Sequence, residues 1–135
     1  MLATTVGCSR PPAAGVGERF LDALNAHDPS QVTALMTADA TFREPGRPPL
    51  DPTALREHLA RQWEAWADQL YSPRAILTLP EATVIEWEVH QTHRNRDPVT
   101  LTGVFVLDVH QDRITAVRNY YDATPLLRFL KHTPS

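Results

Sequence analysis

The strongest constraint on this chain is a change of period at Pro73. Before it, apolar residues recur every three or four positions; after it, every second. Val16, Phe20, Ala23 and Leu24 predict an amphipathic helix over residues 16–26. Asp28 is a good N-cap and Pro29 a good first residue for a short helix through Met36. "DATFRE" reads as a brief strand stopped by Pro45, and "PGRPP" as a loop. Asp51 and Pro52 then open a longer helix with Leu55, Leu59, Trp63, Trp66 and Leu70 as its apolar stripe.

Beyond Pro73, "RAILTL", "TVIEWEVHQTH", "VTLTGVFVLDVH" and "ITAVRNYYD" read as four strands joined by "PEA", "RNRDP" and "QDR". Thr124 and Pro125 start a closing helix through Leu130. Helices clustered early and strands clustered late predict an α+β fold, with a curved, mostly antiparallel sheet wrapped over the helices around a pocket. At 135 residues one domain is expected, over residues 16–135, after a flexible N-terminal tail over 1–15.

Net charge is -3 with both signs interspersed, which offers no footprint for nucleic acid and no polybasic membrane signal. No apolar run approaches a membrane span of roughly 18 residues. The single cysteine, Cys8, cannot form an internal disulfide and fits a reducing cytoplasm. There is no Gly-rich phosphate loop and no GxSxG elbow. His90 and His93 are three apart on a strand, hence on opposite faces, so no metal pair is expected; nor is a cofactor. His58, His93 and His110 read as surface residues.

The order of elements, with "ALNAHD", "ATFREPG" and "GVFVLDVHQDRITAVRNYYD", resembles the SnoaL-like polyketide cyclases of the nuclear transport factor 2-like superfamily. The resemblance covers roughly residues 16–130 and implies a cone-shaped α+β barrel. Isomerases, epoxide hydrolases and binding-only modules share that superfamily, so the fold alone does not choose a reaction.

Position by position, the resemblance sets Glu44 where ketosteroid isomerases carry a general-base Asp before a Pro. The oxyanion-hole Tyr and Asp of those isomerases (the handle on an enolate oxygen) correspond to Phe20 and Phe105, so steroid isomerisation is not expected. The catalytic Asp of SnoaL-type aldol cyclases corresponds to Asn119, and their His to Phe105. The Asp–Arg–Asp set of the epoxide hydrolases corresponds to His90, Glu88 and Asn119. The resemblance also turns Val117, Asn119 and Tyr121 inward, with Tyr120 and Asp122 outward.

Glu44 is therefore the expected proton-transfer residue, with His90, Glu88 and Asn119 assisting. Tyr121, Tyr71, Phe20, Trp63, Trp66, Phe105, Val117 and Glu86 are expected to bind substrate. Placing Glu86, Glu88 and His90 in the pocket forces Ile85, Trp87 and Val89 to the other face, where a homodimer partner across the sheet would bury them. The opposite reading, apolar residues in and charged residues out, is the default for a half-buried strand. The expected activity is a cofactor-independent cyclase or isomerase acting on an apolar, polyketide-like molecule in secondary (antibiotic) metabolism. The alternatives are a small-molecule binding module and a water-adding hydrolase.

Overall fold

A computed structural model describes residues 15–92 and 97–131. The expected tail with Cys8, His93 and most of the "RNRDP" hairpin loop lie outside the described residues. The elements run α1 (Val16–Asn25), α2 (Pro29–Ala34), β1 (Met36–Arg43), α3 (Pro52–Ala65), β2 (Leu70–Leu79), β3 (Ala82–Gln91), β4 (Val99–His110), β5 (Arg113–Tyr121) and α4 (Thr124–Lys131). The fold is mixed α+β. Its five strands form one curved, open sheet in the order β1-β5-β4-β3-β2. The C-terminal four form an antiparallel meander, and β1 joins its far edge parallel to β5.

Local chemistry accounts for the helix starts. Asp28 accepts from the N–H groups of Ser30 and Gln31, and Asp51 from that of Ala54 at 2.8 Å, each just before a helix-opening proline. The expected α3 stripe runs past the helix end. Trp66 is the C-cap, with φ -125° and ψ 67°, and Leu70 already belongs to β2 with its side chain exposed. Thus β2 begins before Pro73, not after it. It tolerates the proline because it is the sheet's edge, and its register shifts between Pro73 and Ala75.

One assignment of faces is corrected outright. Ile85, Trp87, Val89 and Gln91 point into the domain and are buried, whereas Glu86 and His90 are exposed and Glu88 is partly so. The cross-strand register carries the same face through Ile85–Phe105–Asn119 and Trp87–Gly103–Tyr121. Apolar side chains take the dry side because burying each is worth roughly 1.5–3 kcal/mol. Three carboxylate or imidazole groups there would each need a partner. Burial of Ile85, Trp87 and Val89 is thus complete within one chain, and the need for a partner subunit to cover them disappears. On β5, Val117 and Asn119 are buried, Tyr121 is half-buried and Tyr120 is exposed, as the resemblance implied.

Between sheet and helices lies an aromatic layer. Phe20 meets Phe105 edge-on at 5.2 Å between centroids, and Tyr71 meets Trp87 edge-on at 5.1 Å. Trp87 also tilts against Phe105 at 5.6 Å and Tyr121 at 6.1 Å. This layer is the floor on which a cavity opens.

Candidate functional site

A cavity of about 300 Å³ opens between α3, the β1–α3 loop and the inner face of β3, β4 and β5. Glu44 enters it by a tight local device. Phe42 and Leu50 exchange both backbone hydrogen bonds at 2.9 Å, which pins the base of the loop. Within it, "EPGR" has proline at the second and glycine at the third place of a turn, with Gly46 at φ +73°. The turn closes through the Arg47 N–H donating to the Glu44 carbonyl at 3.4 Å. It brings the Arg47 Nε to 3.5 Å from Glu44 Oε1.

The second neighbour of that carboxylate is His58, whose Nε2 lies 3.2 Å from Glu44 Oε1. Both side chains are nearly buried, at 10% and 12% exposure. The approach is close enough for an ion pair but is not aligned as a hydrogen bond, and Nε2 has no other partner among the described residues. His58 was expected at the surface. The available signal was its place on α3, one turn after Leu55 and beside Leu59, where it flanks the apolar stripe.

Two phenols share this environment. Burial, and then the Glu44 charge, push the Tyr71 hydroxyl well above the ordinary tyrosine range. Tyr121 is raised by the same two causes in the same order, with Arg47 opposing. Both therefore stay protonated and can donate a hydrogen bond. Asn119 is buried, and its Oδ1 accepts from Trp87 Nε1 at 3.2 Å. An indole N–H can only donate, so this contact fixes the amide's orientation and leaves its NH₂ as the remaining donor.

The far wall is a chain of amides that sequence reasoning missed. Gln62 Nε2 and Trp63 Nε1 both donate to Gln69 Oε1, at 2.7 and 3.0 Å, and Gln69 Nε2 donates to Gln91 Oε1. Gln69 and Gln91 are buried. His27 reinforces the chain, stacking on Trp63 at 4.8 Å while its Nε2 meets the Gln69 carbonyl at 2.6 Å.

Of the expected residues, Glu44, Asn119, Tyr71, Tyr121 and Trp66 line the cavity. Phe20, Trp63, Phe105 and Val117 do not; they are buried core, and Trp63 acts on the site through Gln69. Glu86, Glu88 and His90 lie on the opposite face of the sheet. There His90 Nε2 meets Glu88 Oε1 at 3.3 Å, its Nδ1 meets Thr100 Oγ1 at 2.8 Å, and Arg74 Nη1 lies 3.4 Å from Glu88 Oε2. Among the described residues no group of three or more His, Cys, Asp or Glu could hold a metal. No described helix is long and apolar enough to cross a membrane.

The SnoaL-like domain family matches residues 17–117. No curated protein matches the chain. Among solved structures, a Catenulispora acidiphila hypothetical protein with a ketosteroid isomerase-like fold, in complex with trimethylamine, superposes with a TM-score of 0.79. It is 15% identical, over 93% of this chain and 100% of that one. IdmH of Streptomyces antibioticus, described as a candidate polyketide cyclase, gives 0.75 at 16% identity over 86% and 96%. An M. tuberculosis LEH-like epoxide hydrolase gives 0.71 at 23% identity over 86% and 90%. At these identities the neighbours speak for the fold. The family match spans most of the sequence, and the chain belongs to the SnoaL-like domain family.

Proposed function

We propose that the chain is a cofactor-independent cyclase or isomerase acting on an apolar, polyketide-like molecule with a carbonyl group, in secondary metabolism. The observation that carries this reading is the Glu44 carboxylate, nearly buried at the cavity wall, beside His58 and electrostatically coupled to two protonated phenols. Glu44 takes a proton from the carbon next to the carbonyl, and Tyr71 or Tyr121 donates to the oxygen on which charge develops. The Asn119 amide orients that oxygen or a neighbouring hydroxyl. The proton then returns to a different carbon, which isomerises the substrate. In a ring closure by oxygen addition Glu44 instead takes it from a hydroxyl, whose oxygen adds to a conjugated C=C bond as its π bond breaks, and returns it to the carbon next to the carbonyl. The cavity also holds a flexible substrate in a reactive shape, which lowers the entropic part of the barrier. The likeness to a candidate polyketide cyclase supports the substrate class.

The test needs no natural substrate. The wild-type protein should catalyse deuterium exchange from D2O into the α-carbon of β-tetralone, followed by NMR, and Glu44→Gln should lose it. Tight binding of the ketone without exchange would favour a binding module instead. A second reading, addition of water to an epoxide, is favoured by the amide wall of Gln62, Gln69 and Gln91 and by the likeness to an epoxide hydrolase. Incorporation of ¹⁸O from labelled water into the diol of styrene oxide would select it. A homodimer also remains a proposal. It now rests on the outer face and rim of the sheet, where Leu77, Leu79 and Tyr120 are 47–57% exposed, and light scattering tests it.

A further inference from the structure

Besides the two phenols, which stay neutral, the acidic and basic side chains lining the cavity are Glu44, Arg47, His58 and Arg61. Two are guanidiniums, which stay cationic, against one carboxylate. The lining is thus positive while the whole chain carries -3. Glu44 is already engaged by His58 at 3.2 Å and Arg47 at 3.5 Å. Arg61 makes no ion pair among the described residues, although Glu57 and Glu64 flank it on the same helix.

The placement is directional. His58 and Arg61 are three apart on α3 and share a face, while the Pro45–Gly46 turn delivers Arg47 to the same cavity. Both arginines are solvent-exposed and so form the rim, with Trp66, Trp87, Val89 and Leu101 as apolar wall. A planar guanidinium beside an apolar cavity, without an acid of its own, suits a ligand carboxylate, which it can bind by two parallel hydrogen bonds. The Glu44 charge repels a second carboxylate, so the acid end stays at the rim and the body of the ligand goes inward.

Resting on the proton-transfer reading above, the geometry points to a substrate class: an apolar ring or chain bearing a carboxylate, held at the rim by Arg61 with Arg47, its reacting carbon presented to Glu44. The probes are naphthalene-2-carboxylate and its neutral twin naphthalene-2-carboxamide, read by quenching of tryptophan fluorescence. At low salt the wild-type protein binds the acid about tenfold more tightly than the amide, in keeping with a hydrogen bond to a charged group. That preference shrinks as sodium chloride rises. Arg61→Gln abolishes it and Arg61→Lys restores part of it. The salt titration on the wild type stands even if a variant fails to fold.

Equal affinity for the two probes, a preference indifferent to salt, or a preference undiminished in folded Arg61→Gln overturns the inference, as does failure of both to bind. Equal affinity with β-tetralone exchange intact overturns this inference alone. Acid preference without exchange overturns the proton-transfer reading and leaves the carboxylate site standing.

Discussion

Among the described residues there are two carboxylate–imidazole pairs of nearly equal spacing. Glu44 and His58 approach to 3.2 Å, Glu88 and His90 to 3.3 Å. The first pair is 10% and 12% exposed and looks into a cavity; the second is 32% and 65% exposed on the outer sheet face. The same chemical groups thus sit in two media. Water screens the outer pair, so it does little beyond decorating a surface. Around the inner pair water is excluded: burial first, and then the Glu44 charge, raises the Tyr71 and Tyr121 pKa values. Pair geometry alone therefore identifies no site; the surroundings do.

The sharpest way to break that contrast is to neutralise each carboxylate in turn. Glu44→Gln should slow β-tetralone exchange by about 10²–10⁴-fold, the usual worth of a general base, and Glu88→Gln should leave the rate unchanged. Equal losses would erase the distinction.

The floor beneath the inner pair should be nearly as sensitive. Trp87→Ala should lower unfolding free energy in urea by about 3–5 kcal/mol, because it empties the centre of the aromatic layer. Gly103 supports the same indole from the next strand. A Cβ there would meet Trp87 Cζ2 at 2.5 Å and Tyr121 Cβ at 2.7 Å. Gly103→Ala should cost about 1–3 kcal/mol in the same measurement, and shift the near-UV circular dichroism.

The inner medium also predicts a response to alkali. Unfolded tyrosine ionises at about pH 10. Tyr71 and Tyr121 have raised pKa values when folded, so above that pH the folded state holds protons that the unfolded state has lost. Their contribution to stability is full below about pH 10 and is lost as pH rises toward the folded values. The urea midpoint should fall in that range, less steeply in Tyr71→Phe. Smallest of all, His90→Ala should stay within about 0.5 kcal/mol of wild type, since its partners are solvated. A larger loss would mean that the outer face is covered in solution, as in a dimer.

The contrast also marks what was legible beforehand. Strand β4 spans "VTLTGVFVLDVH" end to end, and burial alternates cleanly from Val99 to Thr102. On β3 the alternation is equally clean, but a period of two does not say which set points inward. The hydrophobic preference alone chose correctly, and the family correspondence of His90 and Glu88 did not. Asn119 shows the reverse: the resemblance turned it inward and Asp122 outward, and Asn119 is buried while Asp122 is exposed. Glu44 was visible from "FREPG". His58 was not, because a polar residue at the margin of an amphipathic helix faces water or a cavity according to what packs opposite. Nor were Gln69 and Gln91, whose burial depends on meeting each other across 22 positions of chain.

The start of β2 has a consequence for how this protein meets other chains. Asn25 uses its side-chain amide as a stand-in for a neighbouring backbone, donating to the Tyr71 carbonyl at 2.9 Å and accepting from the Tyr71 N–H at 2.7 Å. Two residues on, Pro73 has no N–H to offer. The exposed border of the sheet is therefore a poor template there. An incoming strand would have to displace an intramolecular amide and then pass a position with no donor. Growth of the sheet by strand addition, the route to open-ended fibres, is discouraged at the border where an otherwise extended strand would invite it.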